Sequence, residues 1–154
     1  MIQGALLVLL LLAALPAAGE SAAYRRSPTG ELLPDKDITP GVVALHDAKH
    51  VCGVAWGKDA RHVTETMKAT AYHDYGATKK ATVCCEVDHL ISRELGGADE
   101  PKNLWPQPWH EARMKDRVEN ALHKDVCAGV MTLSDAQDRI RSDWSKEYHR
   151  RYDE

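Results

Sequence analysis

The chain has 154 residues, with 23 Asp and Glu against 20 Lys and Arg, and a formal net charge of −3. This length suits one domain, and the slight acidity excludes a protein that holds nucleic acid through bulk positive charge. We divide the sequence into a leader (1–19), an irregular arm (20–42), a domain (43–149) and a frayed tail (150–154).

The leader carries no charged side chain, and residues 5–15 are an unbroken apolar run. A bilayer-spanning helix needs about 20 such residues, so this run is too short, but it suits the core of a secretory signal. The small residues at 16–19 offer a cleavage site after Gly19. We expect a cleaved signal peptide and a secreted or periplasmic domain, with an uncleaved membrane anchor as the alternative.

Turn residues dominate 20–42 and predict a segment without regular structure. The short apolar runs at 42–43 and 51–54 are candidate strands. Apolar residues recur every four positions from 59 to about 75, which predicts a helix that Gly76 ends.

The β-prone residues 81–87 predict a strand, and 103–105 predict a second extended segment because Pro106 and Pro108 exclude a helix there. Two helices are expected next, over 110–126 and 133–148, each with an apolar stripe of helical spacing. Trp144 lies on the second stripe and is expected in the core.

Four cysteines are present, at Cys52, Cys84, Cys85 and Cys127. An even number in a small exported chain predicts two disulfides. A bond between adjacent cysteines closes a strained ring, so we expect Cys52 to pair with one member of the adjacent pair and Cys127 with the other. A zinc site built from Cys and His is the alternative, which the absence of a Cys-x-x-Cys pair disfavours.

The segment 84–91 carries the chemistry, because it places Asp88 and His89 side by side at the expected end of a strand. An Asp carboxylate is a hard oxygen ligand for a divalent cation, and a neutral His can take a proton from water. A metal beside a base is what phosphodiester hydrolysis requires. Asn103 could hold the intervening loop through bonds to its backbone.

A longer pattern surrounds this pair: Asp88-His89-Leu90-Ile91, then Gly96-Gly97, Asn103-Leu104 and a following helix. It resembles the HNH (His-Asn-His) nuclease family, in particular small exported bacterial HNH-like proteins, over roughly 85–116 and more loosely to Trp144. The resemblance implies an α+β fold with a ββα-metal (His-Me finger) core and additional helices, here stapled by disulfides.

By position, the resemblance implies that His89 is the general base, that Asp88 is a metal ligand and that Asn103 fixes the loop. The helix position that completes the metal site falls near Ala112, which cannot bind metal. We therefore expect His110 to be the second ligand, with Glu111 as the alternative.

The helix that follows also carries basic residues, and Arg113 and Lys115 are candidates to contact the phosphate. Their alternative role is a solvated helix face. Trp105 and Trp109 are candidates to stack on bases, although a Trp beside Pro more often fills a core.

The expected protein is a secreted metal-dependent endonuclease with little sequence preference. Its partner would be nucleic acid, DNA rather than RNA, and its cofactor one divalent cation, Mg²⁺ or Mn²⁺, with Zn²⁺ or Ni²⁺ as alternatives. Two other interpretations stay open: a catalytically inactive exported binding module with the same fold, and an envelope structural protein in which Asp88 and His89 only brace a loop.

Overall fold

The computed structural model describes residues 23–54, 60–76 and 84–153. Helices and strands are mixed along the chain, so the predicted α+β class is confirmed. In chain order the α-helices and β-strands of the described ranges are β1 (Tyr24–Arg26), β2 (Leu32–Pro34), α1 (Ala48–Gly53), α2 (Glu65–Asp74), β3 (Cys85–His89), β4 (Leu104–Pro108), α3 (Trp109–Cys127) and α4 (Leu133–Tyr152).

The arm predicted to be irregular contains the antiparallel hairpin β1–β2. Its turn is held by Ser27, whose hydroxyl accepts hydrogen bonds from the backbone N–H groups of Gly30 and Glu31. The hairpin docks on distant elements, because Leu32 N–H donates to the Glu111 carboxylate at 3.0 Å and its carbonyl accepts from Trp144 Nε1 at 3.3 Å. Long-range contacts thus order a segment whose local sequence has no periodicity.

The strand predicted over 51–54 is wrong, because α1 occupies Ala48–Gly53. Asp47 caps this helix by accepting a hydrogen bond from Lys49 N–H. Of the run at 42–43, Val43 forms an isolated bridge with Gly97. The next helix, α2, lies inside the predicted range and begins at the cap Thr64.

The central hairpin pairs β3 with β4 in antiparallel register, from Cys85 opposite Pro108 to His89 opposite Leu104. The extended segment predicted at 103–105 is confirmed for Leu104 and Trp105 in β4, whereas Asn103 ends a short 3₁₀ helix. The predicted first strand is confirmed from Cys85 onward, since 81–83 lie outside the described residues. The leader 1–19 and the predicted helix start at 59 also lie outside them.

Helix α3 follows β4 directly and packs against α4. Both predicted helices are confirmed, but α4 runs to Tyr152, so the frayed tail predicted from 150 is wrong. The main core contains Trp105, Ile140 and Trp144, each fully buried, so Trp144 is a core residue as predicted. No helix within the described ranges is both long and apolar enough to cross a membrane.

Both disulfides exist, but the predicted pairing is wrong. Cys52 of α1 is bonded to Cys127 at the end of α3, with a Cα–Cα distance of 5.6 Å, and Cys84 is bonded to its neighbour Cys85. The prediction failed because it treated adjacency as prohibitive and did not foresee α1 packing against α3.

Replacing Cys52 and Cys127 with alanine should lower the free energy of unfolding by about 2–4 kcal/mol, because this bond joins positions 75 apart and restricts the unfolded chain. Alanine at both Cys84 and Cys85 is the matched control. That bond joins positions 1 apart and closes no long loop, so its loss should cost about 1 kcal/mol. Urea denaturation without reductant measures both values, and equal losses would contradict the expectation.

Candidate functional site

Asp88 and His89 point to opposite faces of the β3–β4 hairpin, because β3 remains regularly paired as far as His89. Asp88 faces α3, where it contacts Lys115. The other face packs Val87 and Leu104 against Ala71 of α2. The two neighbouring side chains therefore enter separate environments.

His89 is buried, and its Nε2 lies 2.7 Å from Asp99 Oδ1. The second oxygen of Asp99 accepts a hydrogen bond from His62 N–H at 2.5 Å. A carboxylate can only accept here, so the proton of a neutral His89 ring belongs on Nε2, and Nδ1 keeps its lone pair. The pair is a carboxylate–imidazole dyad whose orientation is fixed.

Burial lowers the pKa of His89 below its ordinary value, although the hydrogen bond to Asp99 opposes this shift. The pKa of Asp99 is also lowered: burial alone would raise it, but the hydrogen bonds from His62 N–H and His89 outweigh that effect. At neutral pH the dyad therefore consists of an uncharged imidazole and a charged carboxylate. This is the protonation state that a general base requires.

Two arginines flank the dyad. Arg61, which is exposed, donates to the carbonyl of Val87 at 2.8 Å, and its charge helps to lower the pKa of His89. Arg93 Nε lies 3.8 Å from Asp99 Oδ1. Guanidinium groups at such a position suit an anionic ligand, since their planar donors match phosphate oxygens.

Asn103 is completely buried and ties together the loop between β3 and β4. Its Oδ1 accepts from Ile91 N–H, and its Nδ2 donates to the carbonyls of Ile91 and Ala98, each at 3.0 Å. These are the backbone contacts expected of it. Because Ala98 directly precedes Asp99, Asn103 also positions the carboxylate that orients His89.

The same loop requires glycine at Gly97. A Cβ atom at this position would lie 1.8 Å from the carbonyl oxygen of Ile91 and 2.9 Å from Nδ2 of Asn103. The backbone therefore approaches the carbonyl of Ile91 more closely than any side chain at this position allows, which gives Gly97 of the motif a physical reason.

Lys115, expected to reach phosphate from the helix surface, is instead completely buried. Its ammonium donates to Asp88 Oδ2 at 2.8 Å, to the carbonyl of His89 at 2.5 Å and to the carboxylate of Glu119. Lys115 follows Ala112 and precedes Val118 at three-residue steps, so it lies on the core-facing side of α3. Arg113, the other phosphate candidate, is exposed.

The two predicted metal ligands, Asp88 and His110, differ in exposure and in partners. His110 is exposed, and no described hydrogen bond or ion pair joins it to Asp88. Glu111 accepts from Leu32 N–H and so anchors the N-terminal hairpin. Ala112 offers no donor, and the Lys115 ammonium already occupies Oδ2 of Asp88 at 2.8 Å, where a metal would have to bind.

A different group of side chains lies close enough together to bind a metal ion. This group consists of Cys52, His123 and Cys127, whose ligand atoms all lie within 4.8 Å of one another. Within the described ranges it is the cluster of at least three Cys, His, Asp or Glu side chains that could hold a metal ion. The two sulfur atoms are joined to each other, however, and metals bind the thiolate form. Only the reduced chain would offer this cluster.

Sequence reasoning missed Asp99, Arg61 and Glu119. Asp99 lies in a loop, 10 positions after His89, and no local pattern marks it. For Lys115 a signal existed, namely its three-residue spacing from Ala112 and Val118. Trp105 is fully buried, as a core role predicts, whereas Trp109 is 42% exposed.

No protein-family model matches the chain, and no similar curated protein or solved structure was found.

Proposed function

We propose that the chain is an exported phosphodiesterase that cleaves nucleic acid, with His89 as the general base. The observation that carries the proposal is the buried His89–Asp99 dyad with Arg61 and Arg93 beside it. A neutral oriented imidazole next to guanidinium groups can activate water beside an anionic ester.

In this mechanism Arg61 and Arg93 hold the phosphate, and His89 Nδ1 takes a proton from water as the oxygen attacks phosphorus. The bond from phosphorus to the leaving ester oxygen then breaks, and the proton passes from His89 to solvent or to that oxygen. Asp99 stabilises the transient imidazolium through its contact with Nε2. The arginines offset the charge that develops on the phosphate oxygens.

The order strand, strand, helix of β3, β4 and α3 supports the ββα arrangement that the resemblance to HNH nucleases implies. The placement of Asn103 supports it as well, because Asn103 fixes the loop without facing solvent. Export belongs to the same proposal, since two disulfides are compatible with an oxidising compartment.

The direct test is incubation of the purified chain with supercoiled plasmid DNA, single-stranded DNA and RNA. Parallel reactions contain Mg²⁺, Mn²⁺ or a chelator. We expect nicked plasmid to accumulate with little sequence preference, because in this mechanism Arg61 and Arg93 contact the phosphate and not the bases. Intact substrates under every condition would contradict the proposal.

A second candidate is a non-catalytic exported binding module. The observation that favours it is Lys115, which occupies the Asp88 carboxylate that the nuclease resemblance assigns to a metal. This module would bind nucleic acid through Arg61 and Arg93 without cleaving it. A gel-shift assay that shows binding of uncleaved DNA, lost in Arg61→Ala, would select it.

A further inference from the structure

Three oxygen atoms converge on the ammonium of Lys115. They belong to the Asp88 carboxylate at 2.8 Å, the His89 carbonyl at 2.5 Å and the Glu119 carboxylate. An ammonium has three N–H donors, so each donor finds one acceptor. The Lys115 side chain has no exposed surface, while those of Asp88 and Glu119 are 16% and 12% exposed.

This arrangement stabilises the charge on Lys115. Burial alone would lower its pKa, but the carboxylates of Asp88 and Glu119 raise it above the ordinary value for lysine. Burial in turn raises the pKa of Glu119, against the effect of the neighbouring ammonium. Removal of Lys115 would therefore leave two carboxyl groups in a largely dry space with no cation to balance them.

Two carboxylates and a backbone carbonyl are also the donors that hard divalent cations prefer. We infer that the Lys115 ammonium is a resident cation that replaces a divalent metal beneath the His89 centre. A metal at Asp88 would have to displace Lys115 from all three oxygens. The catalytic part of this inference rests on the proposed function, whereas the exchange of Lys115 for a metal does not.

Lys115 is on this view a positioning residue. It touches the carbonyl of His89 on the α3 side of the hairpin, while the imidazole ring works on the opposite side. The contact holds the end of β3 against α3. The negative charge of the bound phosphate is then balanced by Arg61 and Arg93 and not by a metal ion. Cleavage should therefore continue in the presence of a chelator.

The test is to open the cation site with Lys115→Ala and to titrate Mn²⁺ by calorimetry and thermal melting. We expect wild type to show no Mn²⁺ binding at this position. Lys115→Ala should melt about 10 °C lower, and it should bind Mn²⁺ and recover part of that loss. If it is unfolded without metal, refolding on Mn²⁺ addition, followed by circular dichroism, is the equivalent readout.

Two variants sharpen the test. Lys124→Ala changes an exposed lysine of the same helix and should neither lower the melting temperature nor gain Mn²⁺ binding. Lys115→Met combined with Glu119→Gln removes the ammonium and one carboxylate, and should not gain Mn²⁺ binding. Two results would overturn the inference: wild-type Mn²⁺ binding that Asp88→Asn abolishes, or a Lys115→Ala chain that does not respond to Mn²⁺.

Cleavage assays separate this inference from the proposed function. Wild-type cleavage that a chelator does not reduce supports both. Cleavage that requires added metal overturns the resident-cation inference and leaves the nuclease proposal intact. An absence of cleavage contradicts the nuclease proposal, and the Mn²⁺ titration then decides the inference by itself.

Discussion

Replacing His89 with alanine should lower the rate of plasmid nicking by about 10²–10⁴-fold, the usual contribution of a positioned general base. The physical reason is the buried dyad, in which Asp99 fixes the proton on Nε2 and leaves Nδ1 to accept one. His89→Gln should lose as much activity, because an amide can still donate to Asp99 but cannot act as a base. Gel quantification of nicked plasmid over time measures the effect.

The matched control is His73→Ala. The His73 side chain is 88% exposed, and its described partner is the adjacent Asp74. This variant should nick plasmid at the wild-type rate. Melting temperatures of all three variants show whether the fold survives, since removal of a buried ring also costs stability. Folded His89 variants that retain activity within a few-fold would remove His89 from the mechanism.

Asn103→Ala should lower the free energy of unfolding by about 3–9 kcal/mol. The substitution leaves the N–H and carbonyl of Ile91 and the carbonyl of Ala98 without partners in the core, and each such group costs about 1–3 kcal/mol. Domains of this size are stable by only about 5–15 kcal/mol, so the variant should be marginally folded. Urea denaturation followed by circular dichroism gives the value.

Asn120→Ala provides the comparison for this effect. Asn120 is exposed on α3, and its side-chain amide donates to the backbone carbonyl of Asp116 at 2.6 Å. Its replacement should change stability by no more than about 0.5 kcal/mol. If the two asparagine variants unfold at similar urea concentrations, Asn103 does not hold the loop as its contacts indicate.

The secondary structure around the site was predictable because its signals are local. Proline at positions 106 and 108 excludes a helix and leaves β4, and the apolar spacing of α3 and α4 is helical over many residues. The same local reasoning failed for α1, where Val51 and Cys52 favour a strand. There the cap at Asp47 and packing against α3 decide the conformation instead.

The site was only partly predictable, because its partners come from distant parts of the fold. His89 and Asn103 stand in a recognisable pattern, but Asp99 becomes important only once the loop folds back onto β3. Lys115 was misjudged since a lysine on a charged helix normally faces solvent. Its burial depends on ion pairs with the carboxylates of Asp88 and Glu119. Asp88 lies on β3, far from Lys115 in the sequence, so no local pattern indicates this contact.

The cysteine pairing failed for a similar reason. Four cysteines permit three pairings, and the choice depends on which helices lie side by side. The contact between α1 and α3 brings Cys52 to Cys127, after which Cys84 and Cys85 have only each other. No local feature of the sequence determines that contact.

The docking of the first hairpin has a consequence for the order of folding. The backbone carbonyl of Leu32 accepts a hydrogen bond from Trp144, 112 positions later. The carboxylate of Glu31 is hydrogen-bonded to His149, 118 positions later. A chain that emerges from its N-terminal end can pair β1 with β2, but this hairpin cannot dock on α4 until almost all of the chain has been released. Docking of this hairpin is therefore a late step made of non-local contacts, and such contacts slow folding.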